Sequence, residues 1–304
     1  DRTTGNVEHY APEANKKKQI IHVDIEEKQF HKSVKSHHNL KMDSKEFLKQ
    51  ILPRLQENHR KLWFNRVQEL KNDHDFENRT PEDDLLNTPL VIKSIDSYLK
   101  NNYIVNYDIT CGVGNHQMMT YQFIEGKFPR RIHSSGSLGV MGAGLPYAVG
   151  CQIANPNSLV IDIDGDSSFM MTMSDMKTIV ENDLPVKIAI MNDSRQMMVN
   201  IWERLYFGER YVATINKKNP DFVSLAESFG IKAFKCENQT DLETVTKEFL
   251  SYDGPALCNY IVGEEICLPL VGPGKALDDM ILFNEYHYNK NEKTLEFDIS
   301  SVPS

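Results

Sequence analysis

Positive charge is in short supply in this sequence. Lys and Arg total 34 against 43 Asp and Glu, a formal net charge of −9. A general nucleic-acid binder shows a basic face, so nucleic acid is not an expected partner. Long apolar runs are lacking as well. None approaches the ~18 residues of a membrane span, so a membrane is not expected either. Cysteine is sparse: the five residues at 111, 151, 236, 258 and 267 form no C-x-x-C pair and are odd in number. They read as reduced cysteines of an intracellular protein rather than a disulfide framework. There is no internal repeat, no low-complexity block, no initiator Met and no targeting segment at the opening "DRTTGNVEHYAPEA". That opening reads like the middle of a longer protein.

What is present is a core-forming composition, 40% hydrophobic over 304 residues, enough for roughly two domains. Residues 1–75 carry one short strand, Ile20 to Ile25, and two helical stretches, 43–55 and 58–72. One strand and two helices make a poor core alone. "DHDFENRTPEDDLLNT" (73–88) is polar and acidic and looks like a linker. From Thr88 the pattern becomes regular. Thr88-Pro89 reads as a helix cap followed by proline, and "YIVNYDIT" as a strand. "GSLGVMGAGLPYAVGCQIA" reads as a glycine-rich turn into a helix, "SLVIDID" as a strand, 168–182 as a helix and "VKIAIMN" as a strand. Asn219-Pro220 opens another helix, "IKAFKC" is a strand, "TDLE" (240–243) is a capping box before a helix, and "ALCNYIV" is the last strand. Strands alternating with helices predict an α/β fold, a parallel sheet with helices on both faces. The tail from 271 to 304 is polar and weakly patterned.

In open α/β sheets ligands bind at the carboxyl ends of the strands. "LVIDIDGDSSF" (159–169) leaves its strand through three aspartates and a glycine, and the next strand ends in Asn192 and Asp193. Residues 159–193 therefore make a strand-helix-strand unit. If its strands are neighbours, Asp166 and Asn192/Asp193 share an edge. Mg²⁺ takes one or two carboxylates together with phosphates and water. Gly165 lets backbone approach closely, and Ser167 and Ser168 open a helix whose free N–H groups favour a phosphate. The competing reading is a solvated strand-to-helix turn, where Asp, Gly and Ser are all common. Asp162 and Asp164 read as structural or solvated.

"GDS" (165–167), then 24 residues, then "ND" (192–193) looks like the thiamine diphosphate signature. "DIDGDSSFMMTMSDM", "MNDSRQMMVNIWERLYFGERY", "NPDFVSLAESFG", "CGVGNHQMMTYQF" and "SSGSLGVMGAGLPYAVGCQIANP" resemble the carboxy-terminal half of acetolactate synthase (acetohydroxyacid synthase) catalytic subunits of the eukaryotic type. "DRTTGN…APEA" and "IIHVDIEEKQFHK" resemble the end of that family's FAD-binding middle domain. The resemblance covers nearly all of 1–284.

The resemblance implies residues 1–75 as the end of an FAD-binding-type domain, 76–88 as linker, 89–270 as the thiamine diphosphate-binding domain and 271–304 as a carboxy-terminal tail. It implies Asp166 and Asp193 as Mg²⁺ ligands with the backbone carbonyl of Arg195. Asn115 and His116 would lie near the diphosphate, with Gly165, Ser167 and Ser168. Gly139 and Met141 would support the aminopyrimidine. Met198, Val199 and Trp202 would line the pocket beyond the thiazolium, although their spacing suits one packed helix face equally well. The implied activity is decarboxylation of pyruvate and condensation with a second 2-keto acid, pyruvate or 2-ketobutyrate, in valine, leucine and isoleucine synthesis. FAD would be structural, with Asp24 and Ile25 where the family contacts its adenosine. A homodimer, or pairing with a full-length subunit, a regulatory subunit and a mitochondrial location are implied by the family alone.

The chain also departs from the family. No residue here matches the cofactor-activating glutamate, which lies in an amino-terminal domain and comes from the partner subunit. The isolated 304 residues are therefore expected to form no acetolactate, and to expose apolar surface. Asp193 replaces Asn, Met197 and Ser137 replace Gly, Met119 replaces Trp and Glu27 replaces Pro. Met197 would be costly if its backbone needed a positive φ. Two alternatives stay open: another thiamine diphosphate-dependent 2-keto acid decarboxylase, which "QMMVNIW" and "NPDF" disfavour, and a truncated, non-catalytic relative, which the missing glutamate favours.

Overall fold

The computed structural model describes residues 19–32, 35–73, 84–126, 128–272 and 280–281. The opening "DRTTGN…APEA", most of the expected linker 76–88 and most of the tail 271–304 lie outside them. The chain divides into two compact units, Asp1–Glu77 with Leu268–Ser304, and Asn78–Cys267.

In the first unit, β1 (Ile21–Asp24) pairs in parallel with β2 (His38–Lys41). The sequence predicted only β1, because "HNLK" offers a single apolar side chain to any period-2 pattern. Helix α1 (Ser44–Ile51) is capped by Asp43, whose carboxylate accepts from Lys45 N–H. It tightens at Leu52–Arg54 into a 3₁₀ turn containing Pro53, which cannot continue the α-helical ladder. Helix α2 (Lys61–Asp73) has no buried residue, and Leu62 and Trp63 stand 87% and 70% exposed.

The second unit holds α3 (Thr88–Asn101), β3 (Tyr107–Cys111), α4 (Asn115–Phe123), β4 (Ile132–Ser134) and α5 (Gly144–Ala154). It continues through β5 (Leu159–Gly165), α6 (Asp166–Phe169), α7 (Met176–Glu181), β6 (Lys187–Asn192) and α8 (Met197–Tyr206). It closes with α9 (Phe222–Ser228), β7 (Lys232–Cys236), α10 (Gln239–Ser251) and β8 (Ala256–Ile261). The six strands form one sheet in the order β4-β3-β5-β6-β8-β7, every pair parallel. Because side chains alternate along a strand, the strands feed two cores. Ile109, Ile161, Ile163, Ala189, Met191 and Tyr260 pack with α3, α4 and α10 on one face. Val160, Ile188, Ile190 and Leu257 pack with α5, α7 and α9 on the other. This is the predicted α/β architecture. The first unit also carries β9 (Leu270–Val271), antiparallel to β10 (Met280–Ile281).

Several predicted boundaries move, each for a local reason. The cap of α3 is Asn87, whose side chain accepts from Leu90 N–H, so Thr88 is already helical. The cap of α10 is Asn238, accepting from Asp241 N–H, and not Thr240. "YIVN" stays out of β3: Tyr103 has a left-handed φ of 54°, and Ile104 N–H returns to Leu99 O to close α3. The helix expected over 168–182 breaks at Thr172 (φ −133°, ψ 15°), whose hydroxyl donates to Gly142 O at 2.7 Å.

Candidate cofactor and metal site

Parallel register places Gly165 opposite Met191, so β5 and β6 finish side by side, with Asp166 at the start of α6 and Asp193 in the turn after β6. A cleft opens there. Asn115, His116, Met141, Gly165, Asp166, Ser167, Ser168, Asp193, Arg195, Met198 and Val199 all line it. Gly139 and Trp202 do not. Gly139 sits in the preceding loop at a φ of 68°, with open space beside it except for Val113. The Trp202 ring packs on Tyr206, centroids 5.1 Å apart. Along α8, Met198 and Val199 thus face the cleft while Trp202 does not line it.

Asp166 is fully buried. Its Oδ2 accepts from Asn219 Nδ2 at 2.6 Å and Asn216 Nδ2 at 2.9 Å. Its Oδ1 is buried with no hydrogen-bond partner. Burial raises the Asp166 carboxyl above the usual range, against the pull of those two amides. Burial, and then the charge of Asp166, push the Asp193 carboxyl up to about 8. Two buried acids, one raised by the other's charge and the other with an orphaned oxygen, are what a divalent cation would relieve. The carbonyl of Arg195 lies beside them, 3.4 Å from Ser167 Oγ. The turn between Asp193 and Arg195 is made by Ser194 in a left-handed φ of 57°.

The other wall is tight. A β-carbon on Gly165 would stand 2.8 Å from His116 Nδ1, and one on Gly112 would stand 1.9 Å from Asp164 Oδ1. His116 Nε2 lies 3.2 Å from Asp164 Oδ1 but not in hydrogen-bond geometry, so the pair is close without being a formed bond. Asn115 gives Nδ2 to Glu265 O at 2.7 Å and leaves Oδ1 buried and unpartnered. Ser168 Oγ is occupied, accepting from Gly142 N–H at 2.9 Å.

Two sequence expectations need correction, and a third narrows. Of the two readings of Asp162 and Asp164, structural or solvated, the structural one holds: both are fully buried. Thr110 donates to Asp162 at 2.9 Å, and burial with the charge of Asp164 raises Asp162 well above the usual carboxylate range. Met197 needs no positive φ. It begins α8 and is buried, and the left-handed residue of that loop is Ser194. Asn219 does not open a helix, since Asp221 caps α9. Asn219 reaches the site instead, as does Asn216. Neither was visible in the sequence, because lone asparagines fifty residues downstream carry no spacing signal.

Asp108, His133 and Cys151 also gather, with possible ligand atoms within 4.8 Å of one another. The Asp108 carboxylate is already used by Ser158 at 2.7 Å, His133 at 2.9 Å and the Arg131 guanidinium at 3.5 Å. That cluster is accounted for as a structural network.

A protein-family model described as "Thiamine pyrophosphate enzyme, C-terminal TPP binding domain" matches residues 112–260, from the end of β3 through most of β8. Residues 112–260 are a thiamine pyrophosphate-binding domain of that family. It is 36% identical over 293 residues to the mitochondrial acetolactate synthase catalytic subunit of Saccharomyces cerevisiae, covering 93% of this chain and 42% of that protein. It is 39% identical over 293 residues to the mitochondrial acetolactate synthase of Schizosaccharomyces pombe, covering 93% and 43%. The acetolactate synthase isozyme 2 large subunit of Escherichia coli is 35% identical over 283 residues, covering 92% and 49%. The chain thus spans less than half the length of these relatives. Among the described residues, no helix is long and apolar enough to cross a membrane.

Proposed function

We propose that these residues form the diphosphate- and metal-binding half of an acetolactate synthase that joins pyruvate to a second 2-keto acid, pyruvate or 2-ketobutyrate. The observation that carries this reading is the buried, unpartnered Oδ1 of Asp166 beside the raised carboxyl of Asp193. Asp166, Asp193 and the Arg195 carbonyl would hold Mg²⁺. Asn115 and His116 would face the diphosphate, with room left by Gly165 and with Ser167 at the loop edge. Met141, Met198 and Val199 would give the apolar end of the cleft, excluding water from the reacting carbonyl. Bound thiamine diphosphate supplies carbanion stabilisation at a 2-keto acid carbonyl.

The identities to acetolactate synthases favour this reading over a simple decarboxylase. The words "catalytic subunit" and "large subunit" in the names of those relatives support a second, regulatory subunit; a homodimer, or pairing with a longer copy of the subunit, is part of the same proposal. The two mitochondrial fungal proteins support a mitochondrial site. Mg²⁺ fits the residues present. FAD does not find the same support: Asp24 Oδ1 accepts from Glu26 N–H at 2.8 Å, a turn contact sufficient in itself, and Ile25 is 70% exposed. Calorimetric titration of thiamine diphosphate with and without Mg²⁺ tests the proposal. Metal-dependent binding lost in Asp166→Ala is expected, without acetolactate formation by these 304 residues alone. Binding indifferent to Mg²⁺ and to that substitution would overturn the site assignment.

A further inference from the structure

The two oxygens of Asp166 are in different situations. Oδ2 is shared by two side-chain amides from the segment between α8 and α9, whereas Oδ1 accepts nothing. Both asparagines are themselves held. Asn216 N–H donates to Ser194 O at 2.8 Å, and Arg195 bridges Ile215. Asn216 Nδ2 also reaches Ser167 Oγ at 2.7 Å. Asn219 Nδ2 lies 3.1 Å from Asn192 Oδ1 as well as 2.6 Å from Asp166. It therefore ties the start of α6 to the last residue of β6.

We infer that Asn216 and Asn219 are positioning residues that make Asp166 a one-oxygen ligand and so set the site for Mg²⁺ against Ca²⁺. This rests on the reading of Asp166 as a cation ligand given above. Ca²⁺ takes six to eight oxygens at ~2.3–2.6 Å and readily uses both oxygens of a carboxylate, whereas Mg²⁺ demands near-octahedral geometry at ~2.0–2.1 Å. Two-oxygen ligation by Asp166 would require Oδ2 to leave both amides in a place closed to water. The amides engage Oδ2 and leave Oδ1 as the oxygen open to a cation. Partners of this kind, bonded to a ligand rather than to the metal, typically govern metal affinity by about 10–100-fold.

The test is thiamine diphosphate binding to the full 304-residue chain in Mg²⁺ and, separately, in Ca²⁺, followed by calorimetry. Wild type, Asn216→Ala, Asn219→Ala, the double variant and Asp166→Ala are compared, with thermal unfolding of each metal-free chain. The double variant should lose about 10–100-fold in Mg²⁺-supported affinity and less in Ca²⁺, narrowing the ratio of the two. Asn216→Ala, which leaves the Asn219 tie intact, should narrow it less while unfolding as wild type does. Equal losses with both cations, or none, would overturn the inference while leaving the site reading in place. A wild type that binds with neither cation, indistinguishable from Asp166→Ala, would remove the site reading and this inference with it.

Discussion

Gly165 and His116 meet so closely that a β-carbon on the glycine would stand 2.8 Å from the imidazole Nδ1. The backbone of Gly165 is ordinary, with a φ of −86°, so the glycine is needed for space rather than for conformation. Gly165→Ala should displace the ring and cost about 1–3 kcal/mol, and should weaken thiamine diphosphate binding by about tenfold or more. The double substitution with His116→Ala separates the two effects. Stability measured by urea denaturation should recover in the double variant, while cofactor affinity should not.

Gly112→Ala is expected to be worse. Its β-carbon would fall 1.9 Å from Asp164 Oδ1 and 2.2 Å from Ser168 Oγ, and both side chains are buried. Neither can swing into solvent, so the loss should be at or above the ~3 kcal/mol upper range for overpacking. A denaturation midpoint within error of wild type would refute the packing described here.

Met197 departs from the family's glycine, and the geometry reverses the expectation of strain. It opens α8 with its side chain 4% exposed. Restoring glycine with Met197→Gly should destabilise by roughly 2–5 kcal/mol, from the cavity and from the helix-propensity loss. An unchanged or raised melting temperature would mean that the methionine is a burden after all.

Lys187 gives a pH dependence. It is buried, with Nζ donating to the carbonyls of Tyr252 and Gly254, and desolvation lowers its pKa to about 8. Below that value both folded and unfolded chains hold the proton, and the burial cost is constant. Between about 8 and the ordinary lysine value the folded chain sheds its proton first, so stability rises with pH. Compared with Lys187→Met, wild type should gain on the order of 1–3 kcal/mol from pH 7 to pH 10. Parallel stability curves for the two proteins would contradict the lowered value.

The parallel sheet was legible because buried strands such as "VKIAIMN" are continuous apolar runs between helical periods. The pairing of Asp166 with the β6 end followed from one strand-helix-strand unit. Asn216 and Asn219 were not legible, because their contacts depend on how a loop folds back over the strand ends. The burial of Asp162 and Asp164 was hidden for a related reason. A strand reads as solvated by its charge until the covering residues, Gly112 and Gly144, are known to leave room for carboxylates. Strand β4, three residues long, is too short for any period to register.

Strand β8 is the last of the six to appear in the chain, yet it lies between β6 and β7. During synthesis from the amino terminus, β7 emerges with no neighbour to pair with, and β6 keeps one open edge. Only when Ala256–Ile261 arrives can either be closed. A stalled or prematurely ended chain would present two unpaired strand borders at once, a template for pairing with other chains. The order of strands thus gives the nascent chain a defined window of vulnerability, which ends with a six-residue insertion rather than with gradual growth at one side.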